Sequence, residues 1–432
     1  MTVEIWGGFE STYQPAFDRD VVETTQHDRR WRADLDLLEG CGVHTLRYPL
    51  RWHRIEPEPG RFDWAHTDAV LGHMRDRGLR PIVDLLHHTS HPRWVGDLAA
   101  PGFGPAFVRF VEAVAERYPW LPAYTVCNEP FTTVLLCGQE GLWPPHLRGD
   151  EGFVAVASSL LPAVTAASRS LRDALPAARH VHVEAAERHT WDRGGEAAAE
   201  LCNDRRFLLT DLLVGLPVDR DRPFARHLAA HGGAHLLDVE PGSVDVLGLD
   251  YYAHNQWHWT GRGGTNVAPA PPPLSDLFVE YWDRYRLPTA LGETNLCGAA
   301  SDRASWLRYA VEQCEVAVGA GVPVEGLCWF PVVDSADWAS HLTRSVGHID
   351  PVGVFWLDER WDRRPSSMSA AYALAAGGAP SSALPAYRFR PPASEWLAGW
   401  MPHMAHWPWQ DPPADEVCSS RLGPGVRVGL GS

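Results

Sequence analysis

The stretch Tyr124-Thr-Val-Cys-Asn-Glu-Pro130 is a short apolar run that stops on an amide and a carboxylate. A second stretch, Pro288-Thr-Ala-Leu-Gly-Glu-Thr-Asn295, has the same form and ends on Glu293. Each reads as a buried strand with a glutamate at its C-terminal tip. Six more runs have strand character: 3 to 9, 44 to 50, 80 to 86, 180 to 185, 245 to 251 and 326 to 333. Amphipathic stretches lie between the first seven, among them 30 to 39, 64 to 77, 105 to 117, 153 to 174 and 197 to 213, and 301 to 318 precedes the last. Apolar strands alternating with helices build a parallel sheet, and eight such units close a (β/α)8 barrel. The expected fold class is therefore α/β, a single TIM barrel over 1 to 376. A doubly wound sheet is the rival, but Gly7-Gly8-Phe9-Glu10 supplies no Gly-rich phosphate loop after the first strand. Residues 261 to 275 read as a mobile loop. Residues 377 to 432, rich in Pro and Trp, read as an extension that wraps the barrel or trails from it.

Composition narrows the function. The 432-residue chain carries Lys+Arg 38 against Asp+Glu 54, a net charge of -16, which disfavours nucleic acid as a partner. The N-terminal Met-Thr-Val-Glu-Ile-Trp-Gly-Gly has neither a basic nor a long apolar segment, and no run suggests a membrane span, so the expectation is a cytoplasmic protein with no membrane partner. Eight cysteines without a C-x-x-C pair read as buried thiols rather than a disulfide frame or zinc site. Trp is in excess at 20 residues, and indoles stack on sugar faces as well as filling cores.

If both runs are staves of one barrel, Glu129 and Glu293 converge in one pocket. Paired carboxyls are the machinery of glycoside hydrolysis: one protonates the leaving oxygen, and the other attacks the sugar carbon or activates water. For Glu293 alone the competing reading is a surface carboxylate or a salt bridge at a helix cap.

Several motifs recur in order, from Trp6 to Tyr372, and together they resemble glycoside hydrolase family 1, the β-glucosidases. Trp6-Gly-Gly-Phe-Glu-Ser-Thr-Tyr-Gln14 is similar to W-G-x-x-T-x-x-Y-Q, and Arg47-Tyr-Pro-Leu-Arg-Trp52-His-Arg54-Ile55 to R-F-S-x-x-W-S-R-I. Asn128-Glu129-Pro130 matches N-E-P, Asp250-Tyr251-Tyr252 resembles N-Y-Y, and Glu293 stands where T-E-N-G carries its glutamate. Trp329 through Asp334 to Asp337-Trp338 resembles W-S-x-x-D-N-x-E-W. The resemblance implies a retaining β-glycosidase without cofactor, acting on a small glycoside. Glu129 would be acid/base and Glu293 nucleophile, tuned by Arg47 and Tyr252. Gln14, Asn128, Trp329, Asp337 and Trp338 would bind sugar, as would His87 or His88. The register of His87-His88-Thr-Ser-His91-Pro92 fits either histidine. These three histidines lack a carboxylate or Cys that would complete a metal ligand set, so no metal is expected.

Two departures bear on substrate. Asp250 replaces Asn, and Asp337 replaces a longer Glu that grips the outer hydroxyls of the terminal sugar, which predicts weak action on plain β-glucosides. Leu-Arg-Tyr-Pro-Leu-Arg-Trp, His-His-Thr-Ser-His-Pro-Arg and Asp-Trp-Ala-Ser-His-Leu-Thr-Arg also resemble the family-1-like module found fused to dTDP-4-dehydrorhamnose reductases. A transglycosidase and a non-catalytic sugar-binding barrel are the alternatives.

Overall fold

A computed structural model describes residues 3–261, 265–268, 271–340, 342–343 and 346–386. Eight parallel strands close a barrel: β1 (Glu4–Gly8), β2 (Thr45–Pro49), β3 (Arg80–Asp84), β4 (Ala123–Thr125), β5 (Arg179–Ala185), β6 (Val246–Asp250), β7 (Thr289–Thr294) and β8 (Val324–Trp329). Each strand pairs with its sequence neighbours, and β1 pairs with β8 to close the ring. All eight expected strands are therefore staves. The longer helices that follow them are α1 (His27–Gly40), α2 (Ala65–Arg77), α3 (Phe103–Arg117), α4 (Gly149–Ala174), α5 (Glu196–Val214), α6 (Leu274–Tyr285), α7 (Ala300–Gly319) and α8 (Ser367–Ala376).

Strand alternation divides the apolar residues into two layers. Trp6, Ile82, Ala123, Val181, Val183, Val246, Ala290, Cys328 and Phe330 fill the barrel interior. The alternating strand residues Ile5, Leu46, Val83, Leu247, Leu291, Leu327 and Trp329 belong to the larger core formed with the helices. The seven described cysteines are free.

Two expectations change. Part of the segment read as a mobile loop, Thr265–Val267, is a strand that pairs antiparallel with Gln256–Trp259, itself parallel to Arg188–Trp191. The same segment's end, Leu274, opens α6, and residues 262–264 and 269–270 lie outside the described residues. Contrary to the sequence reading, α4 is long and apolar enough to cross a bilayer, yet Phe153, Val156, Leu160, Val164 and Leu171 on it are buried in the core beneath α3. Of the extension, the turn Ser381–Ala383 is tied to α7 through Glu315, which accepts from the Ser381 backbone N–H and hydroxyl. Trp396, Trp400, Trp407 and Trp409 lie outside the described residues.

Candidate active site

Glu293 is aimed by a defect in the ladder. Against β6, Leu291 pairs with Leu249 but Glu293 pairs with Asp250, so Gly292 is an extra residue in a β-bulge. Only glycine fits there, because a Cβ would lie 2.4 Å from Asp250 Oδ1. The bulge leaves Glu293 buried with both oxygens engaged. Arg47 Nη1 donates to Oε1 at 2.6 Å, and the Tyr252 hydroxyl donates to Oε2 at 2.8 Å. Arg47 Nη1 also donates to the Gly292 carbonyl at 3.1 Å, which fixes the bulge from inside the barrel.

Glu129 sits just beyond β4, in the left-handed region at φ 41. Few non-glycine residues adopt that backbone, and it tends to persist where neighbours over-determine it. Here the Glu129 N–H donates to the Val183 carbonyl, and Pro130 opens the helix Pro130–Val134. Glu184, at the end of β5, accepts from the backbone N–H groups of Phe131 and Thr132 at 2.6 and 3.2 Å, satisfying the orphan donors of that helix. A continuous chain of contacts joins the two glutamates. Arg47 Nη2 donates to Asn128 Oδ1 at 2.5 Å, Asn128 Nδ2 faces His88 Nε2 at 3.2 Å, and His88 Nε2 lies 3.7 Å from Glu129 Oε2.

The surroundings separate the two carboxyls chemically. Burial, then the charges of Asp250, Glu293 and Glu184, push Glu129 well above the usual carboxylate range. Glu293 is also raised by burial, but Arg47, His87 and the Tyr252 hydroxyl pull it back. Burial and mutual repulsion therefore favour the protonated form at Glu129 and Asp250, while the guanidinium and phenol donors favour the ionised form at Glu293. Asp250 is raised well above its ordinary range by burial and by Glu293; it is fully buried, and neither carboxyl oxygen has a hydrogen bond among the described residues.

The two histidines differ in their hydrogen bonds and charge. His88 is neutral, pushed down by burial and by His87; its Nδ1 pairs with Thr133 Oγ1 at 2.9 Å, so it positions Asn128 and Glu129. His87 is the reverse case. Its Nδ1 pairs with Asp84 at 2.7 Å and its Nε2 lies 3.6 Å from Glu10; against the cost of burial, Glu10 and Asp84 raise it to about 10. Glu10 in turn is lowered to about 2, because His87 and the Thr12 donors outweigh burial. Among the described residues, His87 Nε2, Gln14 Nε2 and Trp338 Nε1 are buried and make no hydrogen bond. His91 is buried against Phe103, with Nδ1 paired to the Pro92 carbonyl.

Two expected sugar contacts are not where the motif implies. Trp329 faces out of the barrel, fully buried under the helices, and its indole N–H donates to the Val352 carbonyl at 2.9 Å. The next residue on the strand, Phe330, takes the inward place. Its ring stacks on His87 at 5.6 Å and 26°, lies under Arg47 at 5.3 Å and is 6.4 Å from Trp338. The signal was present: W-S-x-x-D spaces its aromatic residue four before the Asp, and four before Asp334 is Phe330. Asp337 is also turned away from a sugar. Its Oδ1 accepts from the His348 N–H at 3.0 Å, and its Oδ2 accepts from the Gly347 N–H at 2.9 Å and pairs with Arg19 at 3.0 Å. The shorter side chain therefore organises a loop. Trp338 does reach the site, 5.7 Å from the Tyr252 ring. Glu10, Asp84, Glu184 and Phe330 were missed, since a lone acid or aromatic carries no local periodicity.

Removing the Asp337 carboxylate should cost the ion pair with Arg19 and take the acceptor from the Gly347 and His348 backbone N–H groups. Asp337→Ala is expected to destabilise the fold by about 3 kcal/mol, the low end for breaking a buried pair because Arg19 is partly exposed. Asp337→Glu should give no selective gain on β-glucosides. Chemical denaturation and a two-glycone kinetic comparison check both.

No family profile matches the chain. Beta-glucosidase 1B of Phanerodontia chrysosporium is 22% identical, over 83% of this chain and 78% of its own. The β-glucosidase of Agrobacterium sp. is 24% identical, over 80% of this chain and 85% of its own. Among solved structures, the Thermotoga maritima β-glucosidase in complex with deoxynojirimycin superposes with a TM-score of 0.74 at 15% identity, over 87% of this chain and 98% of that one. By ordered motifs, sequence relatives and fold, the chain is a divergent relative of the β-glucosidases of glycoside hydrolase family 1.

Proposed function

We propose that this protein is a retaining β-glycosidase acting on a small glycoside by double displacement. The observation that carries the reading is the asymmetry of the pair: Glu293 takes hydrogen bonds from Arg47 and Tyr252, while Glu129 is buried beside other carboxyls that push it toward its protonated form. In the first step Glu293 attacks the anomeric carbon as Glu129 gives its proton to the glycosidic oxygen, so the aglycone leaves as an alcohol and a glycosyl ester forms. In the second, the Glu129 carboxylate takes a proton from water, the oxygen attacks the anomeric carbon, and the ester bond to Glu293 breaks. Phe330 and Trp338 supply apolar walls for a sugar ring, and Gln14 and His87 supply N–H donors. A screen of nitrophenyl β-glycosides, followed by labelling with the matching 2-fluoro glycoside, tests this. Label on a carboxylate other than Glu293, or no turnover on any glycone, would refute it.

Asp250 adds a third carboxyl beside the pair, and it is itself raised well above its ordinary range by burial and by Glu293. Asp250→Asn replaces a protonated acid with a neutral amide of the same shape, so kcat/KM near neutral pH should change little.

The Glu10–His87 pair makes a separate pH prediction. The depressed Glu10 contributes stability that is present above the ordinary carboxylate range and lost as pH falls through about 2. The raised His87 contributes stability that is fully present below the ordinary imidazole range and lost as pH rises through about 10. Ring 15N shifts should therefore show His87 protonated at pH 8 while His88 is neutral, and Glu10→Gln should move His87 back toward neutral pH.

A further inference from the structure

Outside the barrel mouth, Asp150, His227 and His231 bring their ligand atoms within 4.8 Å of one another. Asp150 is in the first turn of α4; His227 lies in the helix Pro223–Ala230, and His231 is its C-cap. The spacing of four residues puts both imidazoles on one helix face, with ring centroids 4.5 Å apart. Each carboxylate oxygen serves one ring: Oδ1 is 3.0 Å from His227 Nε2, and Oδ2 is 3.4 Å from His231 Nε2. Around a tetrahedral zinc ion with bonds of about 2.1 Å, adjacent ligand atoms are about 3.4 Å apart. The two edges thus already approach the dimensions of a metal polyhedron.

The atoms that would bind are also held in the required orientation. His231 Nδ1 pairs with the His227 carbonyl at 2.8 Å, which places the proton on Nδ1 and leaves a lone pair on Nε2. The His227 ring stacks on Phe224 at 5.7 Å and 21°. Gln139 Nε2 donates to Asp150 Oδ1 at 3.4 Å, and Gln139 Oε1 accepts from Arg205 at 3.0 Å. The side chains of His227, His231 and Asp150 are 30%, 36% and 33% exposed, so an ion can enter and water can complete its coordination.

We propose that Asp150, His227 and His231 form a binding site for a divalent transition metal of the zinc class, with water as the fourth ligand. Two imidazoles and one carboxylate suit zinc, nickel or cobalt and do not suit calcium or magnesium, which take oxygen donors. The ion acts as a clamp. It pins the start of α4 to the helix Pro223–Ala230, and the segment entering α4 carries Trp143, whose ring lies 4.7 Å from that of His88.

The competing arrangement is a pair of plain carboxylate–imidazole hydrogen bonds, and calorimetry separates the two. Metal-stripped full-length protein, titrated with Zn2+ and separately with Ni2+ near neutral pH, should bind one equivalent at a site that His227→Ala/His231→Ala weakens at least a hundredfold. Asp150→Asn should weaken it about tenfold. Co2+ should give the visible bands of a four-coordinate ion in the wild type and lose them in the double variant. Zn2+ should raise the wild-type Tm and leave that of the double variant unchanged, while the metal-free melts of both agree, which separates lost binding from lost folding. Equal Zn2+ affinity in wild type and double variant, or no wild-type binding, would overturn the proposal.

Discussion

Glu293→Gly is expected to abolish turnover, by roughly 10^5-fold, as loss of a nucleophile does in other covalent mechanisms. The fold should survive, because Arg47 keeps its bonds to the Gly292 carbonyl and Asn128 and stays 3.7 Å from Asp84. The truncation opens space beneath the sugar, walled by Arg47 and the Tyr252 hydroxyl. Azide fits that space and the Arg47 charge attracts it. Added azide should restore part of the rate with activated aryl β-glycosides and give the α-glycosyl azide. Rate recovery and product configuration are read together. Recovery with retained configuration would place the attack on the other face and remove Glu293 from the nucleophile's role.

Glu129→Ala should divide substrates by leaving group. Proton donation contributes typically 10²- to 10⁴-fold where the departing oxygen is basic, so alkyl glycosides should lose about that much. Aryl glycosides with acidic phenols need little protonation and should lose far less in the first step. The pH profile should change in a defined direction. Burial, Asp250 and Glu293 hold the Glu129 proton on at neutral pH, so wild-type activity falls only as pH rises through that raised pKa, and the variant should lack this basic limb. Equal losses on both substrate types would argue that Glu129 is not the acid.

Much of the architecture was legible along the chain. A stave such as Val181 to Ala185 is read by short-range alternation, Val181 and Val183 inward and His180 and His182 outward, and each helix by its own buried stripe. Glu129, Glu293 and Tyr252 could be found for a related reason: each lies at or just past the C-terminal end of a strand, and a barrel brings strand ends to one rim, whereas Arg47 reaches them from within β2. Helix α6 escaped because its first residue closes a Pro-rich run, and the membrane-length character of α4 escaped because composition does not say which face is covered.

Other features were decided by tertiary structure alone. At the end of β8 the alternation turns Trp329 outward and Phe330 inward, a difference of one residue that exchanges pocket for core. Asp337 has the position of a sugar ligand but spends both oxygens on Gly347, His348 and Arg19, partners that only loop closure supplies. The Glu10–His87–Asp84 arrangement joins β3 and its following loop to the loop after β1, so the charge on His87 is set by a residue 77 positions away. Likewise Asp150 meets His227 and His231 across the same separation of 77 and one of 81. The sequence by itself determined the barrel and the two opposed glutamates, because local periodicity encodes strands and helices. Which side chains face the pocket, carry a proton or meet around an ion depends on long-range proximity and burial, and these exist only once the barrel has closed.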